Sequence, residues 1–378
     1  MLCSRAPGHP GGLPSWVGPG DWEVPMSISN KDRVCRLVAE MSELEAADLL
    51  ASLQASPPTG MTGAESDGYP GRLVIECRKR QELRYGENPH QAAALYASSW
   101  PPRGLVGARQ LQGPPMSFTN WLDADAGMRL VADFERPAAV IIKHTNPCGF
   151  ANAEDVCRAY ELAFDCDPRA AYGGVVAVNR PVGKDLARLL AKTFLNVLVA
   201  PTVAADVAAE LRESLRLLVV DRPSAPGELD VRSIDGGLLL QAHDRLTSPR
   251  DRAGVMTRLQ PSEEQWHQLL TAWKVARHVK SNAVVIVRDS MAVGVGAGQM
   301  SRIEAAELAI SRAGSRAGGA VAASDGLIPF ADVIEALAEA GVGAVIQPGG
   351  SVGDDDVATA ADQSGLSMVS TAERHFRH

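Results

Sequence analysis

The sequence has few aromatic residues, few cysteines and no long apolar run. Aromatic residues make up 5% of the 378 residues, and six cysteines are too sparse in a chain of this length for the disulfide framework of a secreted protein. No apolar stretch reaches the roughly 18 residues of a membrane-spanning helix, and the N-terminus lacks the apolar core of a secretory signal. We therefore predict a cytoplasmic protein with reduced thiols and no membrane partner.

Positive charge is also scarce. Lys and Arg total 37 against 45 Asp and Glu, which gives a formal net charge of -8 at pH 7. A protein of this sign offers no general attraction to a nucleic-acid backbone, so a local cluster of cations must hold any anionic ligand. Hydrophobic residues at 46% are ordinary for a globular protein with a sizeable core. The composition therefore favours small-molecule chemistry without a nucleic-acid partner.

The chain divides by composition into five segments. Residues 1–26 are rich in Gly and Pro without periodicity, which predicts a disordered leader. Residues 27–71 predict a helical appendage and a linker. Residues 72–220 and 260–378 each alternate short β-rich runs with helical patterns, which is typical of a layered α/β domain. Residues 221–259, rich in Pro, Gly and charge, predict a connecting segment.

The segment VIIKHTNPCG places Lys143 and His144 at the end of an apolar strand. Ligands of open α/β sheets lie beyond the carboxyl ends of strands. A His can act there as a base while a neighbouring cation stabilises developing negative charge. A solvated strand end followed by a turn is the alternative, and this segment alone does not decide between the two.

Pro147 and Cys148 are similar to part of the zinc-deaminase signature, but its other members are missing. Position 146 is Asn where that signature has Glu, and no second Cys follows Cys148 at the required spacing. Tetrahedral zinc needs several converging donors. We therefore predict no catalytic metal.

Three further segments carry more polar side chains than a turn needs. LRYGENPHQ contains Arg84 and Tyr85, whose donors suit a phosphate or carboxylate. The glycines of GVGAGQMSR would let backbone amides approach an anion at a helix N-terminus beside Arg302. VKSNAVVI places Asn282, which offers a donor and an acceptor, before a strand. A surface turn or a cap explains each segment equally well when it is taken alone.

In chain order, these segments resemble the formyltransferase half of a bifunctional purine-biosynthesis family whose other half is an inosine monophosphate cyclohydrolase. The resemblance covers about residues 80–378, through RYGENPHQ, SFTNWLDAD, IIKHTNPCG, DPRAAYGG, KVARHVKSNA, GVGAGQMSR, SDGLIPF, IQPGGS and RHFRH. It implies two tandem cytidine-deaminase-like three-layer α/β domains without zinc, in a homodimer with active sites between subunits. It also implies transfer of a formyl group from 10-formyltetrahydrofolate to the 5-amino group of the ribonucleotide AICAR, with a monovalent cation as in some relatives.

The resemblance assigns roles to individual positions. Lys143 matches the family's transition-state stabiliser, and His144 matches its proton acceptor. The positions that match contacts to the ribonucleotide are Arg84, Tyr85, Gly173, Asn196, Asn282, Leu327 and Arg374. The positions that match contacts to the formyl folate are Arg302, Ile303, Asp332, Ser351 and Val352.

The sequence departs from the family pattern at a few positions. SDGLIPFAD stands where the family has SDAFFPFRD, so Leu327 and Ile328 replace two aromatic residues that frame the heterocycles, and Ala331 replaces Arg. Asn196 stands where relatives have an acidic residue, and Gly353 where bacterial relatives have Arg. Stacking area is lost at the first two positions, which bears on the choice of ligand.

Residues 1–71 are too short for the cyclohydrolase half and lack its α/β pattern, so ring closure would fall to a separate polypeptide. Three hypotheses therefore stay open. The first is a monofunctional AICAR formyltransferase. The second is a divergent paralogue that acts on a related amino-heterocycle in specialised metabolism, and the third is a nucleotide-binding homologue without turnover.

Overall fold

The computed structural model describes Tyr69 and residues 73–220, 229–245 and 249–378. Residues 69–378 belong to one compact unit. The predictions for residues 1–26 and, apart from Tyr69, for residues 27–71 lie outside the described residues. No helix in the described ranges is both long and apolar enough to cross a membrane.

Sixteen strands and eight α-helices are present in the described part of the chain. The strands are β1 Arg78–Leu83, β2 Ala93–Ala97, β3 Arg109–Gln112, β4 Ala138–Lys143, β5 Asn146–Asn152, β6 Val175–Val178, β7 Val197–Ala200, β8 Arg216–Val219, β9 Leu229–Ile234, β10 Gly237–Ala242, β11 Gly254–Val255, β12 Val284–Arg288, β13 Met291–Gly296, β14 Val321–Ser324, β15 Ala344–Gln347 and β16 Ser367–Ser370. The helices are α1 Phe118–Ala132, α2 Val156–Cys166, α3 Pro168–Ala171, α4 Lys184–Ala191, α5 Glu263–Ala276, α6 Arg302–Ala313, α7 Asp332–Glu339 and α8 Asp354–Gln363.

Twelve of these strands form one sheet, in the order β11-β16-β15-β14-β12-β13-β5-β4-β6-β7-β8-β3. The two halves of the sheet have the same strand arrangement, read from the centre toward each edge. In the first half the hairpin β4–β5 is followed by β6, β7, β8 and β3. In the second half the hairpin β12–β13 is followed by β14, β15, β16 and β11. The two halves meet where β5 runs antiparallel to β13, with Ala151 opposite Met291. The chain therefore carries an internal structural repeat.

The predicted mixed α/β class, with strands and helices in alternation, is confirmed. The crossover connections implied by the alternation produce parallel pairing in β6-β7-β8 and in β14-β15-β16. β4 and β12 instead run antiparallel to both of their neighbours. Each is joined to the next strand by a two-residue turn, which can connect only antiparallel strands. The sheet is therefore mixed.

The predicted connecting segment, 221–259, also contains strands. β9 and β10 pair as a separate two-stranded hairpin, and β11 joins the edge of the main sheet beside β16. The side chains of the hairpin are largely exposed. The alternating pattern that identifies a half-buried strand is therefore weak there.

Helices cover both faces of the main sheet. Alternate side chains of β4 enter two different apolar clusters, with Val140 in one and Ile141 in the other, because successive side chains of a strand point to opposite faces. The first cluster contains Leu130 of α1 and Trp273 of α5, and it is continuous across both halves. On the other face, α2 and α4 cover one half, whereas α6, α7 and α8 cover the other. The protein is therefore layered, with helices on either side of the sheet.

Glycine lets α2 and α6 approach the central hairpins closely. An ideal Cβ at Gly149 in β5 would collide with the carbonyl oxygen of Ala163 in α2. At the corresponding place in the second half, a Cβ at Gly294 in β13 would collide with the carbonyl oxygen of Ala309 in α6. The helix can reach this depth only because neither position has a side chain.

We predict that Gly149→Ala destabilises the protein by about 1–3 kcal/mol or more, because the added methyl group must push α2 away from the sheet. Urea denaturation measures the loss. Gly318→Ala is the matched control, since the heavy atom nearest to its ideal Cβ is 3.6 Å away. Equal midpoints for the two variants would contradict the close-packing argument.

Candidate functional site

The side chains predicted to carry chemistry gather at one edge of the main sheet. β4 ends there with Lys143, which pairs with Asn146 at the start of β5. The antiparallel pairing of β5 with β13, and of β13 with β12, places the start of β12 at the same edge. We call this the site edge. In the first half β6, β7 and β8 begin there, and in the second half β14, β15 and β16 end there.

His144 and Thr145 form the turn between β4 and β5. Their φ angles are 50° and 62°, in the left-handed region that non-glycine residues rarely adopt. Two side chains hold this backbone. Thr145 N donates to Asp123 Oδ1 at 2.7 Å, and Asn146 Nδ2 donates to the His144 carbonyl oxygen at 3.1 Å. The turn is therefore fixed, while the His144 side chain is exposed in this chain.

Lys143 lies near two of the predicted ribonucleotide positions, Gly173 and Asn196. Its Nζ donates to the Tyr172 carbonyl oxygen at 2.6 Å. The next residue, Gly173, has a φ of 68°, and an ideal Cβ there would lie 3.4 Å from Lys143 Nζ and 3.7 Å from Asn196 Nδ2. Asn196 Nδ2 in turn donates to the Gly173 carbonyl oxygen at 2.8 Å. The structure thus brings together Lys143, Gly173 and Asn196.

A second group surrounds Asp325, whose side chain is fully buried just after β14. Asp325 forms an ion pair with Arg302, accepts a hydrogen bond from the Ser281 hydroxyl and accepts another from Ala283 N at 3.0 Å. Arg302 is also buried, and its Nη2 donates to Asn282 Oδ1 at 2.9 Å. The carboxylate therefore holds the guanidinium that orients Asn282.

Asn146 joins the two groups. Its Oδ1 accepts from Lys280 N at 2.9 Å, and its Nδ2 donates to the His144 carbonyl oxygen. The peptide bond between Ser281 and Asn282, the two residues that follow Lys280, is cis. One side chain therefore contacts both the turn that presents His144 and the segment that presents Asn282.

The C-terminal segment, residues 374–378, lies along the site edge. Ser281 N donates to the Arg377 carbonyl oxygen at 2.9 Å, and Arg377 N donates to Ser281 Oγ at 3.1 Å. The ring of Phe376 lies against Gly326, where a Cβ would collide with it. The guanidinium of Arg374 lies 4.4 Å from the centre of that ring. The structure thus brings Arg374 to the same edge as Asn282.

Arg84 and Tyr85 follow β1, in the loop that leads to β2. The guanidinium of Arg84 lies 5.6 Å from the centre of the Tyr85 ring. Burial lowers the pKa of Arg216, the first residue of β8, and the nearby Tyr85 opposes that shift. Because Arg216 N donates to the Asn196 carbonyl oxygen at 3.1 Å, Tyr85 lies toward the Asn196 end of the site edge.

The positions that match folate contacts lie at the starts of three helices. Ile303 is the second residue of α6, Asp332 is the first of α7, and Ser351 and Val352 precede α8. These helices follow β13, β14 and β15, which end at the site edge. Within the described ranges, no hydrogen bond joins this group to Lys143 or His144. Arg302, predicted with this group, contacts Asp325 and Asn282 instead.

One departure from the family pattern, Gly353, lies against the segment that contains three others. An ideal Cβ at Gly353 would lie 2.7 Å from the carbonyl oxygen of Pro329, within the altered 326–331 segment. Leu327 is partly exposed, whereas Ile328 is fully buried in the core beneath α7 and α8. The side chain at position 328 therefore packs within the protein and does not present a surface to a ligand.

Three residues of the site were not identified from the sequence, namely Asp123, Arg216 and Asp325. Asp123 and Asp325 fall within SFTNWLDAD and SDGLIPF, two of the segments that carry the family resemblance. For these two carboxylates, membership in those segments was the only feature of the sequence that pointed to the site. Their hydrogen-bond partners lie 22 or more positions away in the chain, so no local pattern shows the contacts.

The described residues contain no group of three or more His, Cys, Asp or Glu side chains that could hold a metal ion. Cys148, the residue that resembles a zinc ligand, donates to the Ile141 carbonyl oxygen at 3.4 Å. Burial raises the pKa of its thiol to about 12. A thiol in this state is a poor metal ligand and a poor nucleophile.

Fold and site together define a mixed α/β protein whose two repeated halves build one polar site at the edge of a shared sheet. A family model described as AICARFT/IMPCHase bienzyme matches residues 46–312, and the chain belongs to this family. The resemblance seen in the sequence is thereby confirmed.

Curated relatives are the bifunctional purine biosynthesis proteins PurH of several bacteria. The protein of Cyanothece sp. is 46% identical over 329 residues, which cover 86% of this chain and 63% of that protein. The protein of Anoxybacillus flavithermus is 44% identical over 84% of this chain and 63% of its own length. The protein of Bacillus cytotoxicus is 40% identical over 96% of this chain and 72% of its own length. This chain thus spans less than two thirds of the first two relatives.

We predict that Arg302→Met destabilises the protein by about 3–5 kcal/mol, because it leaves the buried carboxylate of Asp325 without its cation. Arg312→Met is the matched control, since Arg312 forms a 2.6 Å ion pair with Asp167 while more than half exposed, and such pairs contribute about 0–1 kcal/mol. Chemical denaturation compares the two variants. Equal losses would contradict the structural role given to Arg302.

Proposed function

We propose that this chain is a folate-dependent formyltransferase that moves a formyl group from 10-formyltetrahydrofolate to the 5-amino group of AICAR. The observation that carries the proposal is the contact of Asn146 with both the Lys143–His144 turn and the Asn282 segment. Membership in the AICARFT/IMPCHase family, with relatives 40–46% identical, supports it.

The chemistry requires a base and a cation at one place. The lone pair of the 5-amino group is delocalised into the ring and the carboxamide, which makes the amine a poor nucleophile. As the amine nitrogen bonds to the formyl carbon, His144 takes the amine proton and the ammonium of Lys143 offsets the charge on the formyl oxygen. His144 then returns that proton to the folate nitrogen as the bond from the formyl carbon to that nitrogen breaks, which releases tetrahydrofolate.

Asn282 is left with one free hydrogen-bonding position. Its Nδ2 donates to the carbonyl oxygens of Gln299 and Met300, at 3.0 and 3.1 Å, so both of its hydrogens are used. Its Oδ1 accepts from Arg302, and a carbonyl oxygen can accept a second hydrogen bond. In this proposal Asn282 therefore accepts from a donor such as the carboxamide NH₂ of AICAR, and Arg302 is a positioning residue.

The remaining ribonucleotide positions supply charge and shape. Arg84 and Arg374 are exposed cations suited to the phosphate. Gly173 and Asn196 line the approach to Lys143, and Tyr85 adds a hydroxyl. Leu327 stands beside Gly326, where the Phe376 ring packs.

Exposed apolar side chains support a heterocyclic cosubstrate at the helix starts. Met300 before α6 and Phe330 before α7 are 96% and 69% exposed, and Val352 before α8 is fully exposed. Such side chains provide a contact surface for the pteridine of a folate. Ile303, Asp332 and Ser351 lie beside them and complete the proposed folate contacts.

We further propose that residues 72–220 and 260–378 are two cytidine-deaminase-like domains that share the sheet, and that two copies of the chain form a homodimer. The exposure of His144, Arg84 and Arg374 in one chain supports sites that a second subunit completes. The monovalent cation, the cytoplasmic location and the separate cyclohydrolase remain predictions of the sequence alone.

A divergent acceptor is the second candidate. The contact between Gly353 and Pro329 means that two departures from the family pattern reshape one surface. Asn196, beside Lys143, adds a change of charge in the ribonucleotide group. A related amino-heterocycle would then replace AICAR in the same chemistry.

We expect the purified protein to release tetrahydrofolate from 10-formyltetrahydrofolate when AICAR is supplied. His144→Ala should lower kcat by about 10²- to 10⁴-fold, the usual contribution of a general base. His267→Ala is the matched control, because this exposed His lies on α5 outside the site edge. AICAR binding without turnover would favour the silent homologue, whereas neither binding nor turnover would favour the divergent acceptor.

A further inference from the structure

The internal repeat provides a second turn of the same shape as the Lys143–His144 turn. Asp289 and Ser290 join β12 to β13 with φ angles of 50° and 63°, against 50° and 62° for His144 and Thr145. This second turn lies at the opposite edge of the sheet, where Asn152 at the end of β5 donates to the Ser290 carbonyl oxygen at 3.2 Å. The two turns can therefore be compared within one molecule.

A side chain from the same position of a helix supports each turn. Asp123 lies six residues after Ser117, the N-cap of α1, and Gln268 lies six residues after Ser262, the N-cap of α5. Asp123 Oδ1 accepts from Thr145 N at 2.7 Å. Gln268 Oε1 accepts from Asp289 N at 3.3 Å. The donor is the second residue of the turn at Asp123 and the first residue of the turn at Gln268, so the two hydrogen bonds are not identical. A neutral amide nevertheless supports the turn at the opposite edge, so a turn of this shape does not require a negative charge.

The charge on Asp123 calls for a different explanation. The Asp123 side chain is partly buried, and burial raises its pKa. The hydrogen bond from Thr145 and the charges of His144 and Lys143 oppose that shift. Burial of a carboxylate is unfavourable unless cations or donors compensate it, and the groups able to do so beside Asp123 are the Lys143 ammonium and, once it has taken a proton, the His144 ring.

We infer that Asp123 is a positioning residue for the proposed transfer. Its carboxylate holds the His144–Thr145 turn, and its negative charge favours the imidazolium that forms when His144 takes the amine proton. The Asp289 turn carries no base that would become cationic, and there the supporting residue is the neutral Gln268. The inference rests on the proposed function, because it takes His144 as the proton acceptor.

Asp123→Asn separates the charge from the hydrogen bond, because the amide oxygen of Asn can still accept from Thr145 N. We expect kcat to fall by roughly tenfold to a hundredfold, a part of the 10²–10⁴ that general acid–base catalysis contributes. KM for both substrates and the midpoint of thermal unfolding should stay close to those of the parent. Gln268→Ala is the matched control, which removes the support of the other turn and should lower stability without lowering kcat.

A second measurement does not depend on turnover. In protein with ¹³C-labelled histidine, the His144 ring signal is assigned by its loss in His144→Ala. At constant pH its chemical shift should differ between Asp123→Asn and the parent, since the negative charge near the ring is removed while the hydrogen bond to Thr145 N is kept. A purely structural role for Asp123 predicts no such change.

The two measurements distinguish the possible failures. An inactive parent in which Asp123→Asn still changes the His144 ring signal would contradict the proposed function and support the coupling between Asp123 and His144. An active parent whose kcat and His144 ring signal are both unaffected by Asp123→Asn would overturn the role inferred for Asp123.

Discussion

The antiparallel pairing of β5 with β13 determines which residues of the two halves can meet. Because the halves run in opposite directions across this pair, equivalent positions fall on opposite edges of the sheet. The Lys143–His144 turn lies at the site edge, and its counterpart, Arg288–Asp289, lies at the other. Asn282 precedes β12 at the site edge, whereas Pro137 occupies the same place before β4 at the opposite edge. One edge thus receives the turn of the first half and the Asn282 segment of the second.

At the opposite edge an equivalent hydrogen bond is made by a neutral side chain in place of a charged one. Asn179 follows β6 as Asp325 follows β14, and its Oδ1 accepts from Ala138 N at 2.8 Å, as Asp325 Oδ1 accepts from Ala283 N at 3.0 Å. The neutral amide of Asn179 is therefore sufficient to accept the hydrogen bond from the backbone N–H at that edge. α2 begins with Val156 where α6 begins with Arg302, so no guanidinium needs a carboxylate there. The buried ion pair of Asp325 is accordingly explained by the need to orient Asn282, and the fold alone does not demand it.

Local sequence patterns predicted the elements with strong periodicity and missed those without it. β4 has a clear apolar pattern and was expected as a strand. β5 reads NPCGFAN, and its Pro and Gly argue against a strand, although the neighbouring β4 and β13 supply its partners.

The same limit applies to the site. Lys143 and His144 were placed correctly at a strand end, because that inference needs only adjacent residues. The contact of Asn146 with Lys280 joins residues 134 positions apart, and the ion pair of Arg302 with Asp325 depends on the order of β12 and β14. No local pattern contains either contact. The Gly-rich segment before α6 predicted Arg302 beside a ligand, and the structure adds that its guanidinium contacts Asp325 and Asn282.

Under the proposed function, the arrangement of the site edge would let an acidic chain attract anionic substrates. The chain carries a net charge of -8, yet Lys143, Lys280, Arg374 and Arg377 all lie along this edge. Burial and the neighbouring Arg377 and Arg232 lower the pKa of Lys280, whereas Asp230 opposes that shift. Under the proposed function, the ribonucleotide phosphate would relieve the repulsion between Lys280 and these arginines. Added salt should then weaken binding most for the substrate with the greater negative charge.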